Sequence, residues 1–573
     1  MQQLPPPAAW ARVRDYLGWA GLPALAALSP EGQVLLSQAG QWARFPCPTL
    51  RLATEAEYRL FRGVWDVCAT ARVDVPCLRL APAWLRELGD RRFPGLRVQR
   101  LELVGMEVTD EALQRLGGAF PATSHLGLRD CTLGPNGTCL ANLPSGLESL
   151  CLEDCKGLTD GQMKSLPVSL RHLSIRRCVG ITDLAGLEAL SKLQVLHLES
   201  CTDLVDQGLG CLPELEGLVE LSLHGCSRLT DAVTESVAKA TGLRQLDLSY
   251  CKWLTNAGVQ NLRALNKLQG LNLHFCYLLR EGALEFLSEL PELRQLNLGY
   301  CHELAGPALM ERLNGLQNLR ELKLEYCSWL TGELLPRLPR LQRLVISRCM
   351  SLNDEKLSGL PSVEELDLSA CHWLTDAGLE SLGAKQVSLW KLNLGSCDSI
   401  TAYGLKHLPV NLRWLSLRRS SGDGVPDPHP GLLPQGLEEL DLSECRAITD
   451  AVLPKMAARH RSLWKLDLSY YDNIANEKLK HLPKNLRWLS LRGCPGLTAG
   501  KPGLTAEGLA QLPPGLEELD LSQCSWLTDA GLKSLYRHYR LRCLRLEQCG
   551  QVTPRAVQTL LRALPGLQVE GRC

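Results

Sequence analysis

Residues Leu243–Leu262, LRQLDLSYCKWLTNAGVQNL, recur with small changes along most of the chain. The shared frame is L-x-x-L-x-L-x-x-C-x-x-[LI]-T-[DN]-x-[GA]-L-x-x-L. Aligned on it, Cys131, Cys155, Cys178, Cys201, Cys226, Cys251, Cys276, Cys301, Cys327, Cys349, Cys371, Cys397, Cys445, Cys494, Cys524 and Cys549 share one column, which Met106, Ser420 and Tyr471 complete. This makes about nineteen repeats, spaced by roughly 22–26 residues, the period of a stacked array. An array grows lengthwise, so 573 residues need only one long core.

Leucines of the L-x-L segment, such as Leu246 and Leu248, alternate with polar residues at the period of a strand, burying one face. Thr-Asp or Thr-Asn ahead of G-L-x-x-L, as in Thr230-Asp231, is a helix N-cap signal, with Asn256 expected to cap its helix. Each repeat therefore reads as strand, turn and helix. Stacked, the strands form a parallel concave sheet; the wider helices lie outside, and the α/β array bends into a horseshoe.

Residues 1–95 lack the cysteine frame and read as a short helical head ending in an atypical first repeat at Cys77-Leu78-Arg79-Leu80; residues 96–573 read as the solenoid. From Leu360 a three-repeat cassette is duplicated at an offset of 74 residues, as from Cys371 to Cys445. Ser421–Pro434, rich in Pro and Gly, reads as an extended loop.

The frame resembles the cysteine-containing subclass of leucine-rich repeats over about four-fifths of the chain. Leu4, Pro5, Val13, Tyr16, Leu17, Leu22 and Leu25 fall near the spacing of an F-box, although Pro6, Pro7, Gly32, Gly40 and the late Trp42 depart from that pattern. That resemblance implies docking on a Skp-family adaptor of a cullin-type ubiquitin ligase. The same stretch also fits a plain helical cap over the open end of the array.

Sixty-two Lys+Arg balance 62 Asp+Glu, so no net charge draws nucleic acid or an anionic membrane. The column cysteines read as small buried residues whose S–H reaches a neighbouring carbonyl. Sixteen such thiols imply a reducing, intracellular compartment, the cytoplasm or nucleus, or a host cytoplasm for a bacterial effector. No run of about 20 apolar residues spans a membrane. Leu17–Pro30 only superficially resembles a signal peptide, given Asp15 and Pro23.

No metalloprotease, P-loop, nucleophile-elbow or paired C-x-x-C motif occurs. Cys151 is placed outward and Cys155 inward, so they do not converge on a metal; no cofactor or metal is expected. Positions six, four and two before the column cysteine face the concave side, and the preceding residue lies at its edge. His224, Tyr250, His274, Phe275, Tyr300, Glu325 and Tyr326 form a stripe there, matching either the aromatic anchors of protein recognition or a stiffening ladder. Trp414, Arg418, Trp488 and Arg492 make a second patch, where lateral Glu–Lys pairs such as Glu439–Lys465 are expected. Trp253, Trp329, Trp373 and Trp526 are expected to pack on the next turn.

The resulting expectation is a monomeric, non-enzymatic protein-recognition solenoid serving as the substrate-binding subunit of a cullin-type ubiquitin ligase. The alternative is an intracellular scaffold or effector that binds a protein without a ligase link. An enzyme assembled from His224, His274 and Glu325 has no motif behind it.

Overall fold

The computed structural model describes residues 50–52, 73–80, 96–134, 139–304, 307–330, 338–401, 403–420, 433–445, 456, 459–471, 474, 476–495 and 504–571. Leu4, Pro5, Val13, Tyr16, Leu17, Leu22 and Leu25 lie outside these residues, as do 421–432 of the expected loop. The chain divides into two compact units, Met1–Asn318 and Leu319–Cys573.

In the first unit the parallel ladder runs from Leu50–Leu52 through Val73–Leu80 and Leu96–Val104 to Gln295–Asn297. The second unit carries the same ladder from Glu321–Lys323 to Gln568–Glu570. Register is set leucine against leucine: Leu246 pairs with Leu271 and Leu366 with Leu392. A slip of one residue would turn these side chains out of the core. Within the stretch 1–95, the described residues are the two strands Leu50–Leu52 and Val73–Leu80.

All sixteen column cysteines are buried, as are Met106, Ser420 and Tyr471. Their thiols reach back one repeat to a backbone carbonyl: Cys226 Sγ to Leu198 O at 2.8 Å, Cys276 to Leu248 O at 3.3 Å and Cys349 to Leu324 O at 3.0 Å. Burial pushes Cys226 and Cys251 up to about 12, because a thiolate there would lose its hydration, whereas the hydrogen bond with Cys155 lowers Cys178.

The residue just before the column is in the left-handed region in every repeat, from Gly105 (φ 66°) through Asp130 (51°), Tyr250 (60°) and Arg348 (57°) to Gln548 (58°). This turn ends the strand and lets its N–H continue the ladder, as Tyr250 N does to His274 O at 2.8 Å. Side chains four places before the column are occupied with this turn. Asp247 Oδ1 accepts the Ser249 N–H at 2.8 Å, and Asn393 Oδ1 that of Gly395 at 3.1 Å. At these positions a side chain on the concave side also caps the strand end.

Thr255 rather than Asn256 is the N-cap, its hydroxyl accepting from Ala257 N at 3.3 Å. Asn256 instead bridges to the next repeat, accepting from Arg280 N at 2.9 Å and donating to Glu281 O at 2.8 Å. The Asp of Thr-Asp does likewise at Asp160, Asp231, Asp376 and Asp529: Asp231, for one, accepts the N–H (2.7 Å) and hydroxyl (2.5 Å) of Thr255 in the following repeat. Its carboxylate reaches sideways to the threonine that caps the neighbouring helix.

The convex segment varies from repeat to repeat: it is the α-helix Asp376–Lys385 between Cys371 and Cys397 and a 3₁₀ turn, Ala185–Ala189, between Cys178 and Cys201. Trp373 and Trp526 pack against the preceding turn, not the next, donating Nε1–H to Cys349 O (2.6 Å) and Cys494 O (2.9 Å). No described helix is long and apolar enough to cross a membrane.

Candidate functional site

Three adjacent turns of the first unit carry the aromatic residues Tyr250, Phe275 and Tyr300, and the strand ends beside them carry His224 and His274. Backbone bonds at 2.8 Å, Tyr250 N to His274 O and Phe275 N to Gly299 O, hold neighbouring turns in register. The rings then meet. Tyr250 and Phe275 stack at 4.8 Å; His224 meets Tyr250 edge-on at 5.1 Å, and His274 meets Tyr300 edge-on at 5.1 Å. Phe275 lies 5.6 Å from Tyr300.

Two further rings, which the one-column reading passed over, join from the other side of the column. Tyr277 lies edge-on to Phe275 at 6.2 Å and His302 to Tyr300 at 6.0 Å. The available signal was an aromatic on both flanks of Cys276 and Cys301. Tyr250 is 42% exposed, while Phe275 and Tyr300 are half-buried, so the surface is open at one end and packed at the other.

Gly299 belongs to this arrangement. A Cβ there would lie 2.7 Å from His274 Nδ1, so the absent side chain is what lets the imidazole lie across the strand end.

Hydrogen bonding assigns the proton on His224. Ser249 donates its hydroxyl to Asp247 Oδ1 at 2.5 Å, and therefore accepts from His224 Nδ1 at 2.7 Å. Asn272 Nδ2 holds the other Asp247 oxygen at 3.0 Å. This order is the reverse of a hydrolytic relay, in which the imidazole takes the serine proton. Ser249 is moreover 1% exposed. Ser249 thereby orients the His224 ring.

Glu325 and Tyr326 belong to the second unit. Tyr326 is 42% exposed. Burial holds the Glu325 carboxyl above its ordinary range, against the opposing pull of Arg348. The structure thus brings together His224, Tyr250, His274, Phe275 and Tyr300 as one ring cluster.

The second patch is already occupied by its own residues. Lys391 Nζ sits 5.2 Å from the Trp414 ring and 3.4 Å from Glu365, and Lys465 sits 5.3 Å from Trp488 and 3.0 Å from Glu439. Arg418 (2.8 Å) and Arg419 (2.6 Å) both grip Glu444, whose carboxyl Arg419 chiefly holds down. Arg492 is bonded by Tyr470 and lies 3.8 Å from Glu547. Any ligand here would first displace these contacts.

Among the described residues no group of three or more His, Cys, Asp or Glu converges as a metal site. Cys151 lies on the open strand face and Cys155 in the core, on opposite sides of the sheet.

A family model described as Leucine Rich repeat matches residues 240–262, 359–383 and 515–535. No curated protein sequence matches the chain. Among solved structures, the TLR13–ssRNA13 complex is 17% identical, covering 85% of this chain and 79% of that one, with a TM-score of 0.47. The Rad7 and Elc1 complex of yeast is 19% identical over 65% and 84%, with a TM-score of 0.40. An internalin, inlF, from Listeria monocytogenes is 17% identical over 66% and 88%, with a TM-score of 0.35. The repeat frame, the parallel leucine-registered strands and the three family-model matches agree on the fold, a leucine-rich-repeat solenoid.

Proposed function

We propose that this chain is a non-enzymatic protein-recognition solenoid whose first unit engages its partner through His224, Tyr250, His274, Phe275 and Tyr300. The supporting observation is a continuous cluster of rings at a turn position where the fold requires no ring. Asp, Ser, Arg, Ala and Gln occupy the same left-handed turn elsewhere. Rigid aromatics with few rotamers to freeze are the residues that dominate binding energy at protein interfaces. Glu325 and Tyr326 are proposed as contacts of the second unit in their own right, and Trp414, Arg418, Trp488 and Arg492 rank behind them because their neighbours already engage them.

The thiol-to-carbonyl ladder supports the cysteine-containing subclass of leucine-rich repeats. The F-box-like spacing of Leu4, Pro5, Val13, Tyr16, Leu17, Leu22 and Leu25 supports a finer reading, a substrate-binding subunit of a cullin-type ubiquitin ligase tethered through a Skp-family adaptor. The competing reading is an intracellular scaffold or effector without that tether.

Co-purification separates them. The full chain should capture a Skp-family adaptor and a version lacking residues 1–48 should not; failure of the full chain sinks the ligase reading. An unbiased pull-down with Tyr250→Ala/Tyr300→Ala should lose the partner that the parent captures while the variant stays folded, with no more than the loss of about 0.5–1.5 kcal/mol expected for each ring contact removed. Full retention of that partner sinks the ring-cluster reading.

A further inference from the structure

Gln386, His460 and His538 occupy one position of the repeat, the corner between helix and strand, and are 1%, 1% and 3% exposed. Their backbones are used alike. Each N–H closes the preceding helical turn, on Leu382 O, Met456 O and Leu535 O, and each carbonyl accepts from the residue three along, Leu389, Leu463 and Leu541. Most other repeats carry an apolar residue or proline here, as at Leu265 and Leu290.

Gln386 shows what a polar side chain does at this corner. Its Nε2 donates to Pro361 O of the preceding repeat at 2.9 Å, and its Oε1 accepts from Val363 N at 3.0 Å. One amide thereby ties two repeats together with both of its ends satisfied. His460 faces the carbonyl of Pro434, and His538 those of Leu509 and Pro513, again in the preceding repeat. Neither imidazole completes a hydrogen bond at either nitrogen.

We propose that His460 and His538 are proton-sensitive plugs in the seam between repeats of the second unit, packed in place when neutral and loosened by acid, while the Gln386 tie is indifferent to pH. A neutral ring fits a buried, mostly apolar corner. An added proton puts an unpaired cation there, which is costly unless the group reaches water.

The surroundings do not offset that charge. Among the described residues the charged group acting on His460 is Arg459 and that acting on His538 is Arg537, both repulsive, and no carboxylate acts on either ring. The facing groups from the packed elements are the carbonyls already named. Burial, followed by the arginine at His460, lowers the first imidazole below its ordinary value of 6.5; at His538 burial lowers it against the pull of two carbonyls. The sign follows. An unfolded or opened repeat binds a proton more readily than the closed one, so stability is complete above the ordinary imidazole value and falls as pH drops below it.

The test is hydrogen exchange on the full chain between pH 7.5 and 5.0, corrected for intrinsic rates. The amides of Lys465 and Cys543, bonded to Glu438 O and Glu517 O beside the two histidine corners, should lose protection by up to about tenfold per pH unit per proton taken up. The amide of Lys391, bonded to Glu364 O beside Gln386, should stay flat. His460→Gln/His538→Gln should abolish the pH dependence, and His460→Leu/His538→Leu serves if the glutamine pair does not fold. An unchanged pH slope in a folded double variant, or equal loss at Lys391 in the parent, overturns the proposal. So does direct titration of the two imidazoles at or above 6.5.

Discussion

The rings of Tyr250 and Phe275 stack 4.8 Å apart at an interplanar angle of 14°, and both residues sit in left-handed turns, at φ 60° and 62°. Left-handed backbone costs a residue with a Cβ roughly 1–2 kcal/mol. The pair therefore gains from stacking at a place that taxes any side chain.

Tyr250→Gly and Tyr250→Ala separate these two contributions. Both lose stacking, worth about 0.5–1.5 kcal/mol, but only glycine relieves the backbone. The expected order of thermal transitions is parent and Tyr250→Gly close together, within about 1 kcal/mol, with Tyr250→Ala below. Alanine melting above glycine would show that the turn is not under strain.

The buried thiols should make the protein labile to base. Cys201, Cys226, Cys251, Cys301 and Cys397 are each pushed from 9.0 to about 12, first by burial. Folded values above unfolded ones mean that stability is whole below pH 9 and lost as pH rises toward 12. Each thiol contributes a slope of about 1.4 kcal/mol per pH unit in that window. Circular dichroism should show one steep alkaline transition soon after pH 9. Retention of structure to pH 11.5 would contradict it.

The Thr-Asp-x-Gly portion of the frame is a contact between repeats. Asp354 accepts from Thr375 N at 3.0 Å and Thr375 Oγ1 at 2.5 Å, and a Cβ on Gly378 would lie 2.2 Å from Asp354 Oδ1. Gly378→Ala should cost about 1–3 kcal/mol, the usual range for overpacking, and Asp354→Ala a similar amount for its lost bonds. Alanine at 354 removes the closer of two obstacles to alanine at 378, the other being Leu374 Cδ1 at 2.6 Å, so the double variant should cost less than the sum by at least about 0.5 kcal/mol. Simple additivity in denaturant titrations would refute the contact.

Cys276→Ala tests the column. It removes the Sγ bond to Leu248 O at 3.3 Å and opens a small void at a fully buried site. A loss of about 1–2 kcal/mol is expected, measured by chemical unfolding monitored in the first unit. No measurable loss would reduce the thiol to inert filler.

Much of the fold was readable because its signals are local and repeated. Leu246, Leu248 and Cys251 advertise the core by spacing alone, and they are 2%, 0% and 0% exposed. Asn256 misled because N-cap chemistry looks the same at neighbouring positions, and only the placement of Arg280 and Glu281 in the next repeat gives it its partners. The row holding Asp247 and Asn393 alternates out of the core as spacing predicts, but spacing does not show that their carboxylate and amide oxygens accept from N–H groups two residues on.

The sequence by itself determined the repeat, the leucine register and the positions whose side chains point away from the core, since each follows from spacing along one chain. Tertiary structure decided which of those positions are spent internally. Lys391 and Lys465 cover Trp414 and Trp488, whereas Tyr250, Phe275 and Tyr300 pack on one another and leave Tyr250 exposed. The physical reason is that strands one repeat apart bring together side chains some 25 residues distant, and spacing along the chain does not record whether two such neighbours satisfy each other.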